Sequence, residues 1–126
     1  MNKPLIALLL ITSFSASADK IPSSIQNLIA VYDTRTHSLE DGELTIRYNK
    51  RLLLVDAAES MFQGICNDYY MNKWKPSTIK RITLLNISSD QGFEINAGGD
   101  ECRKAGTMKD EQARTYRTSF IKPLQE

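Results

Sequence analysis

The sequence predicts a two-layer α+β domain in α-β-α-β-β-α order, with a three-stranded sheet packed by helices and one disulfide. Three observations predict it. Apolar residues recur at helical spacing in three separate segments. Alternating or branched apolar runs mark three others as strands. The two cysteines, Cys66 and Cys102, form an even pair in a chain that begins like an exported protein. Three strands cannot bury their apolar face alone, so the helices supply the second layer.

The export reading comes from the first residues. Lys3 is followed by an apolar run from Leu5 to Phe14, then by small residues at Ala16 and Ala18. This is the pattern of a secretory signal peptide over residues 1–18, with cleavage before Asp19. A membrane span needs about 20 apolar residues, roughly twice this run. No cysteine stands near the cleavage point, which argues against a lipid anchor. Residues 19–126 are therefore expected to form a single α+β domain, exported to the periplasm or secreted, without a membrane span. Removing the signal takes away Lys3 and no acid, so 16 basic and 15 acidic residues become 15 and 15. A nucleic-acid binder carries a basic excess on one face, and this balance supplies none. Lys73, Lys75, Lys80 and Arg81 read as a solvated charged face, and the same neutrality disfavours attraction to a membrane surface.

The elements follow in chain order. Ile25, Leu28, Ile29 and Tyr32 share a helical face, with Ser23 or Ser24 as cap. Residues 33–42 are polar and end in Asp41-Gly42, which reads as a loop closing in a turn. Leu44, Ile46 and Tyr48 alternate with Thr45 and Arg47 in a half-buried strand. From Leu52 to Trp74 runs the longest periodic segment, stopped by Pro76, with Val55, Ala58, Phe62, Ile65, Cys66 and Tyr69 on one face. Ile79 to Ile87 is rich in branched residues and reads as a well-covered strand. Ser88 to Gly92 turns the chain, and Phe93 and Ile95 alternate on the return, making a hairpin. The last helix starts near Thr107, its predicted N-cap, with Asp110 and Glu111 in its first turn. The strand-helix-strand part predicts a parallel pair.

Between hairpin and last helix lies N-A-G-G-D-E-C-R-K-A-G, Asn96 to Gly106. Its glycines do not match a phosphate loop, whose lysine follows the last glycine. Its carboxylates are too few and wrongly spaced for a calcium loop. It reads as a turn, with Gly98-Gly99 giving φ > 0, that delivers Cys102 to Cys66 on the central helix. A disulfide there spans 36 residues, worth about 4 kcal/mol in the chain-entropy model. The absence of C-x-x-C argues against a redox pair.

Catalytic signals are sparse. His37 is the single histidine, placed in a polar stretch, so neither a zinc site nor a histidine-based nucleophile is expected. Glu40, Asp41, Glu43, Asp90, Asp100 and Glu101 lack the apolar context that turns a carboxyl into a general acid. Asp56 and Glu59 fit a helix start. Asn86-Ile87-Ser88 matches a glycosylation acceptor but is short enough to occur by chance. The expectation is no enzyme, no cofactor and no metal.

What remains is protein binding. Tyr69, Tyr70 and Trp74 cluster at a helix end, and tyrosine and tryptophan are enriched in binding hot spots. The hairpin tip with Ser89, Asp90 and Gln91 is a short polar projection suited to entering a cleft. Periplasmic immunity proteins and periplasmic inhibitors of lysozyme are similar in size, export and a single crosslink. The expected function is an immunity or inhibitor protein neutralising a toxin or cell-wall hydrolase, with an accessory subunit of an envelope, pilus or secretion assembly as the alternative.

Overall fold

The computed structural model describes residues 20–124, so the signal peptide expected over residues 1–18 lies outside the described residues. The fold is α+β with a five-stranded mixed sheet. Helix α1 covers Ser23–Ala30, followed by strands β1 (Thr34–Glu40) and β2 (Glu43–Tyr48) and helix α2 (Val55–Asn72). A 3-10 turn, Pro76–Thr78, leads to β3 (Arg81–Leu85) and β4 (Gly92–Ile95). Helices α3 (Gly99–Ala105) and α4 (Asp110–Thr118) and strand β5 (Ile121–Pro123) complete it. The strands lie in sequence order across the sheet. Only β2 and β3 are parallel, joined through α2 as predicted; the other neighbours are antiparallel.

The sheet has two strands more than the sequence predicts. The polar run over residues 33–42 predicts a loop where β1 stands, and the structure shows why: the strand buries only Leu39, the other side chains lying on an exposed edge. Asp41 and Gly42 both take positive φ, 51° and 82°, the two-residue hairpin turn whose twist matches its strands. β5 is three residues long and ends in proline, which suits an edge. The Asn96–Gly106 stretch is not a simple turn, since α3 fills it. Gly98 and Gly99 do not have positive φ; they allow close approach. A Cβ on Gly98 would strike the Ile79 carbonyl, and one on Gly99 the Pro76 carbonyl. Glu101 starts the helix by accepting the Gly98 N–H at 2.8 Å, the reciprocal half of a capping box.

Other boundaries shift for local reasons. α2 begins at Val55, because Leu52–Leu54 lie outside the helix as a link that ends in extended Leu54. Lys73 ends it in the left-handed conformation, its N–H on the Tyr69 carbonyl at 2.7 Å. Thr107 does not cap α4; its hydroxyl donates to the Lys104 carbonyl at 2.7 Å, closing α3 instead. α4 starts after Lys109 and carries Asp110 and Glu111 at its positive end and Arg117 at its negative end.

One face of the sheet is core. Leu39, Leu44, Ile46, Tyr48, Ile82, Leu84, Phe93 and Ile95 meet Met61, Phe62, Ile65 and Cys66 of α2. The other face bears polar side chains, with Ser38, Thr45, Thr83, Glu94 and Lys122 abreast across all five strands. β3 is therefore not covered on both sides: Ile82 and Leu84 point inward while Arg81, Thr83 and Leu85 face out. Cys66 and Cys102 are bonded and fully buried, with Cα atoms 4.9 Å apart, tying α2 to α3. Tyr48 carries the one buried side-chain polar atom without a partner among the described residues, its hydroxyl. Burial pushes that phenol well above its ordinary value, and nearby Tyr32 pushes the same way.

Candidate functional site

The β3–β4 connection is held by a single buried amide. Asn86 is 3% exposed and uses its full hydrogen-bonding capacity. Its Oδ1 accepts from the backbone N–H groups of Asp90 and Gln91, at 3.0 and 3.1 Å. Its Nδ2 donates to Asp90 Oδ1 and to the Arg51 carbonyl, both at 2.8 Å. A glycan on Asn86 is incompatible with this burial. Ser89 occupies the left-handed region at φ 62°, which lets the loop reverse in so few residues.

The same loop grips the chain that leads into α2. Gln91 Oε1 accepts the Leu53 N–H at 2.7 Å, and its Nε2 donates to the Leu53 carbonyl at 2.8 Å. The side chain thus does what a neighbouring strand would do. The Ile87 N–H adds a bond to the Lys50 carbonyl at 2.7 Å, and the Arg47 guanidinium one to the Ile87 carbonyl at 3.2 Å. Ser89 and Asp90 are exposed at the tip of this frame, while Gln91 faces into it. Leu53 is buried beneath, and Leu52 and Leu54 on either side are each 61% exposed. These two leucines, with Val55, Lys50 and Arg51, were not candidates from sequence because Leu52 reads as helix. Three leucines in a row, of which a helical face can absorb only part, were the available signal.

The aromatic group lies elsewhere. Val55 to Tyr70 spans about 22 Å at 1.5 Å per residue, so Tyr69, Tyr70 and Trp74 stand at the opposite end of α2 from the hairpin tip. The structure does not bring the two predicted groups together. Tyr69 is buried, edge-on to Tyr70 at 5.9 Å and to Trp74 at 5.1 Å between centroids. Tyr70 and Trp74 are half-buried, and their polar atoms point to protein partners. The Tyr70 hydroxyl donates to the Cys102 carbonyl at 2.7 Å, beside the disulfide. Burial pushes that hydroxyl up, the Arg117 guanidinium pulls against it, and Tyr69 adds to the rise. Trp74 Nε1 donates to Asp68 Oδ2 at 3.0 Å, on the same carboxylate oxygen that accepts from Ser24 Oγ at 2.7 Å.

The remaining polar groups are dispersed. His37 is exposed on edge strand β1. Glu59 pairs with Arg114 at 3.6 Å, and Glu43 accepts from Thr83 Oγ1 at 2.7 Å. Asp100 lies 3.5 Å from Arg103 one turn on. Among the described residues, no three histidines, cysteines or carboxylates gather as a metal site would require. No helix among them is long and apolar enough to cross a membrane. Compared with protein-family models, with curated proteins and with solved structures, the chain matches none.

Proposed function

We propose that this chain is an exported protein-binding domain, an immunity or inhibitor protein that neutralises a toxin or cell-wall hydrolase by presenting a pre-formed hairpin end to it. The observation that carries the reading is the Asn86–Gln91 frame, in which a short exposed tip is fixed by bonds to the Lys50–Leu54 link. A projection already held in one shape loses little conformational entropy on docking. Ser89 and Asp90 form the tip, and Gln91 holds it in place. Tyr70 and Trp74 take a secondary role, since their polar atoms are committed to Cys102 and Asp68. The internal disulfide fits an oxidising compartment such as the periplasm.

The accessory-subunit reading draws on a different observation. β1 is an edge strand with little buried side chain, which a strand from an assembly partner could extend.

The test is genetic and then direct. Cells lacking the chain should become sensitive to a toxin from neighbouring cells or to an external muramidase, and export of residues 19–126 should restore resistance. Calorimetry of the purified domain against that protein should then give a one-to-one complex, weakened when Asp90 is replaced. Unchanged survival across toxins and hydrolases, with a defect in pilus or secretion assembly instead, would transfer the chain to the second reading.

A further inference from the structure

A cleft lies between α2 and the α3–α4 corner and shares no residue with the hairpin end. It holds about 440 Å³, within the roughly 300–1,000 Å³ range of small-molecule sites. Its apolar part is Ala105, Met108 and Ala113, the alanines buried and Met108 half-buried. α2 contributes Gln63, Asn67 and Tyr70, which succeed one another on one helical face. The Tyr70 hydroxyl is committed to the Cys102 carbonyl at 2.7 Å. The side-chain amides of Gln63 and Asn67 hold no partner among the described residues.

The charges around the cleft leave one of each sign unmatched. Arg114, in the lining, turns to Glu59 of α2 at 3.6 Å. On α3, Arg103 lies 3.5 Å from Asp100, and Lys104 sits over the Tyr116 ring at 5.5 Å. Lys109 and Glu111 flank Asp110 in sequence but lie outside the lining. Asp110 and Arg117 line the cleft and make no ion pair among the described residues. Arg117 is half-buried, close enough to the Tyr70 hydroxyl to act on its ionisation. The two residues stand on one face of α4, two turns and about 10.5 Å apart along its axis. A simple anion would meet Asp110, a simple cation would meet both arginines, and a neutral ligand would use neither charge. A zwitterion satisfies both. An extended peptide of two or three residues, at about 3.3–3.6 Å each, separates its terminal charges by ~7–11 Å. Its peptide groups need donors and acceptors, and a primary amide offers both. We propose that this cleft binds a short peptide with free termini, its carboxylate on Arg117 and its ammonium on Asp110. Gln63 and Asn67 hold its backbone, and small side chains pack on Ala105, Met108 and Ala113. This binding activity is separate from the hairpin end and does not rest on the inhibitor reading.

The test titrates the purified protein with trialanine, N-acetyl-trialanine and trialanine amide, followed by NMR. Trialanine should bind with a Kd of about 1 mM or tighter and shift the side-chain amide resonances of Gln63 and Asn67. Blocking either terminus should weaken binding at least about tenfold, the loss of one charge-assisted hydrogen bond. Arg117→Gln should erase the preference for a free carboxylate and keep that for a free ammonium. Asp110→Asn should do the reverse, and Arg117→Lys should retain both preferences. A merely structural role would weaken all three peptides alike, which would overturn the assignment of these two residues. The blocked peptides on unaltered protein make the same comparison without any substitution, so a variant that fails to fold leaves the test intact. Equal binding of free and blocked peptides would overturn the proposal, as would acetate binding as tightly as trialanine. So would the absence of any saturable shift up to about 10 mM peptide. None of these outcomes touches the inhibitor reading, whose hairpin end takes no part.

Discussion

The side-chain amide of Gln91 pairs with both backbone groups of Leu53, accepting at 2.7 Å and donating at 2.8 Å, across 38 residues of sequence. Truncating it leaves a partly buried N–H and C=O without partners. Gln91→Ala should therefore cost ~1–3 kcal/mol. Amide exchange at Leu53 should accelerate more than exchange in β3. Denaturant melts with residue-resolved exchange check this, and an unchanged Leu53 rate would show that the link is held by other contacts.

Asn86 is a harsher site because its donors and acceptors are not interchangeable. Asn86→Asp keeps the shape but turns the group facing Asp90 Oδ1 and the Arg51 carbonyl from donor to acceptor. Placing a buried carboxylate against another should destabilise the domain by ~3 kcal/mol or more at neutral pH. Protonation of the introduced carboxyl restores a donor, so the deficit should shrink as pH falls towards 4. A deficit that stays constant between pH 7 and 4 would contradict this account.

These contacts show what the sequence makes legible. The hairpin tip at Ser89 and Asp90 is readable because the S-S-D-Q-G turn stands between a branched apolar run and the alternation of Phe93 and Ile95. Its bracing is not, because Asn86 and Gln91 act on residues 35 and 38 positions away, and no local pattern encodes such pairing. β1 was missed because periodicity registers burial, and an edge strand with Leu39 alone inside has almost none. α3 was missed because its buried side is small, Gly99, Cys102 and Ala105, and its glycines read as breakers. The Gly98 to Glu101 spacing was the signal available there. The aromatic group was readable as a cluster, but its direction was not: Tyr69 points inward, and Asp68, which fixes Trp74, looks like any surface acid.

Asp68 makes a prediction of its own. Its Oδ2 accepts from Ser24 Oγ and Trp74 Nε1, and its Oδ1 from Asn72 Nδ2 at 3.1 Å, joining α1 to both sides of the α2 end. Asp68→Ala should cost ~2–3 kcal/mol, as expected for hydrogen bonds to a charged group. Asp68→Asn should cost less, because one carbonyl oxygen still accepts. Tryptophan fluorescence should shift in the alanine variant at temperatures below its melt. If both variants melt with the wild type, Trp74 is held by ring packing alone.

The disulfide closes a 36-residue span inside the core. Replacing both cysteines with serine removes the crosslink and buries two hydroxyls, so the expected loss is ~4 kcal/mol or somewhat more. The double alanine variant avoids the hydroxyls and separates the two effects. Native protein should show no reaction with a thiol reagent until it is reduced and unfolded; rapid labelling under native conditions would mean the bond is not formed in the native protein.

Tyr48 gives the prediction with the clearest sign. Its ring is needed in the core, yet its hydroxyl is buried without a partner among the described residues. Tyr48→Phe keeps the packing and removes the stranded group, so it should leave stability unchanged or raise it by up to ~1 kcal/mol. The pH dependence is stronger. An unfolded tyrosine ionises near its ordinary value of about 10, whereas burial holds the folded phenol neutral well above that. Above pH ~10 the unfolded state therefore binds fewer protons than the folded state, and stability falls as pH rises. One such group accounts for a loss of ~1.4 kcal/mol by pH 11, and the phenylalanine variant lacks it. Tyr70 is also raised by burial and adds its own alkaline loss to both proteins equally. Urea melts at pH 8 and pH 11 should then show the advantage of Tyr48→Phe widening by about that amount. An advantage equal at the two pH values would mean that the Tyr48 hydroxyl reaches water in the folded state.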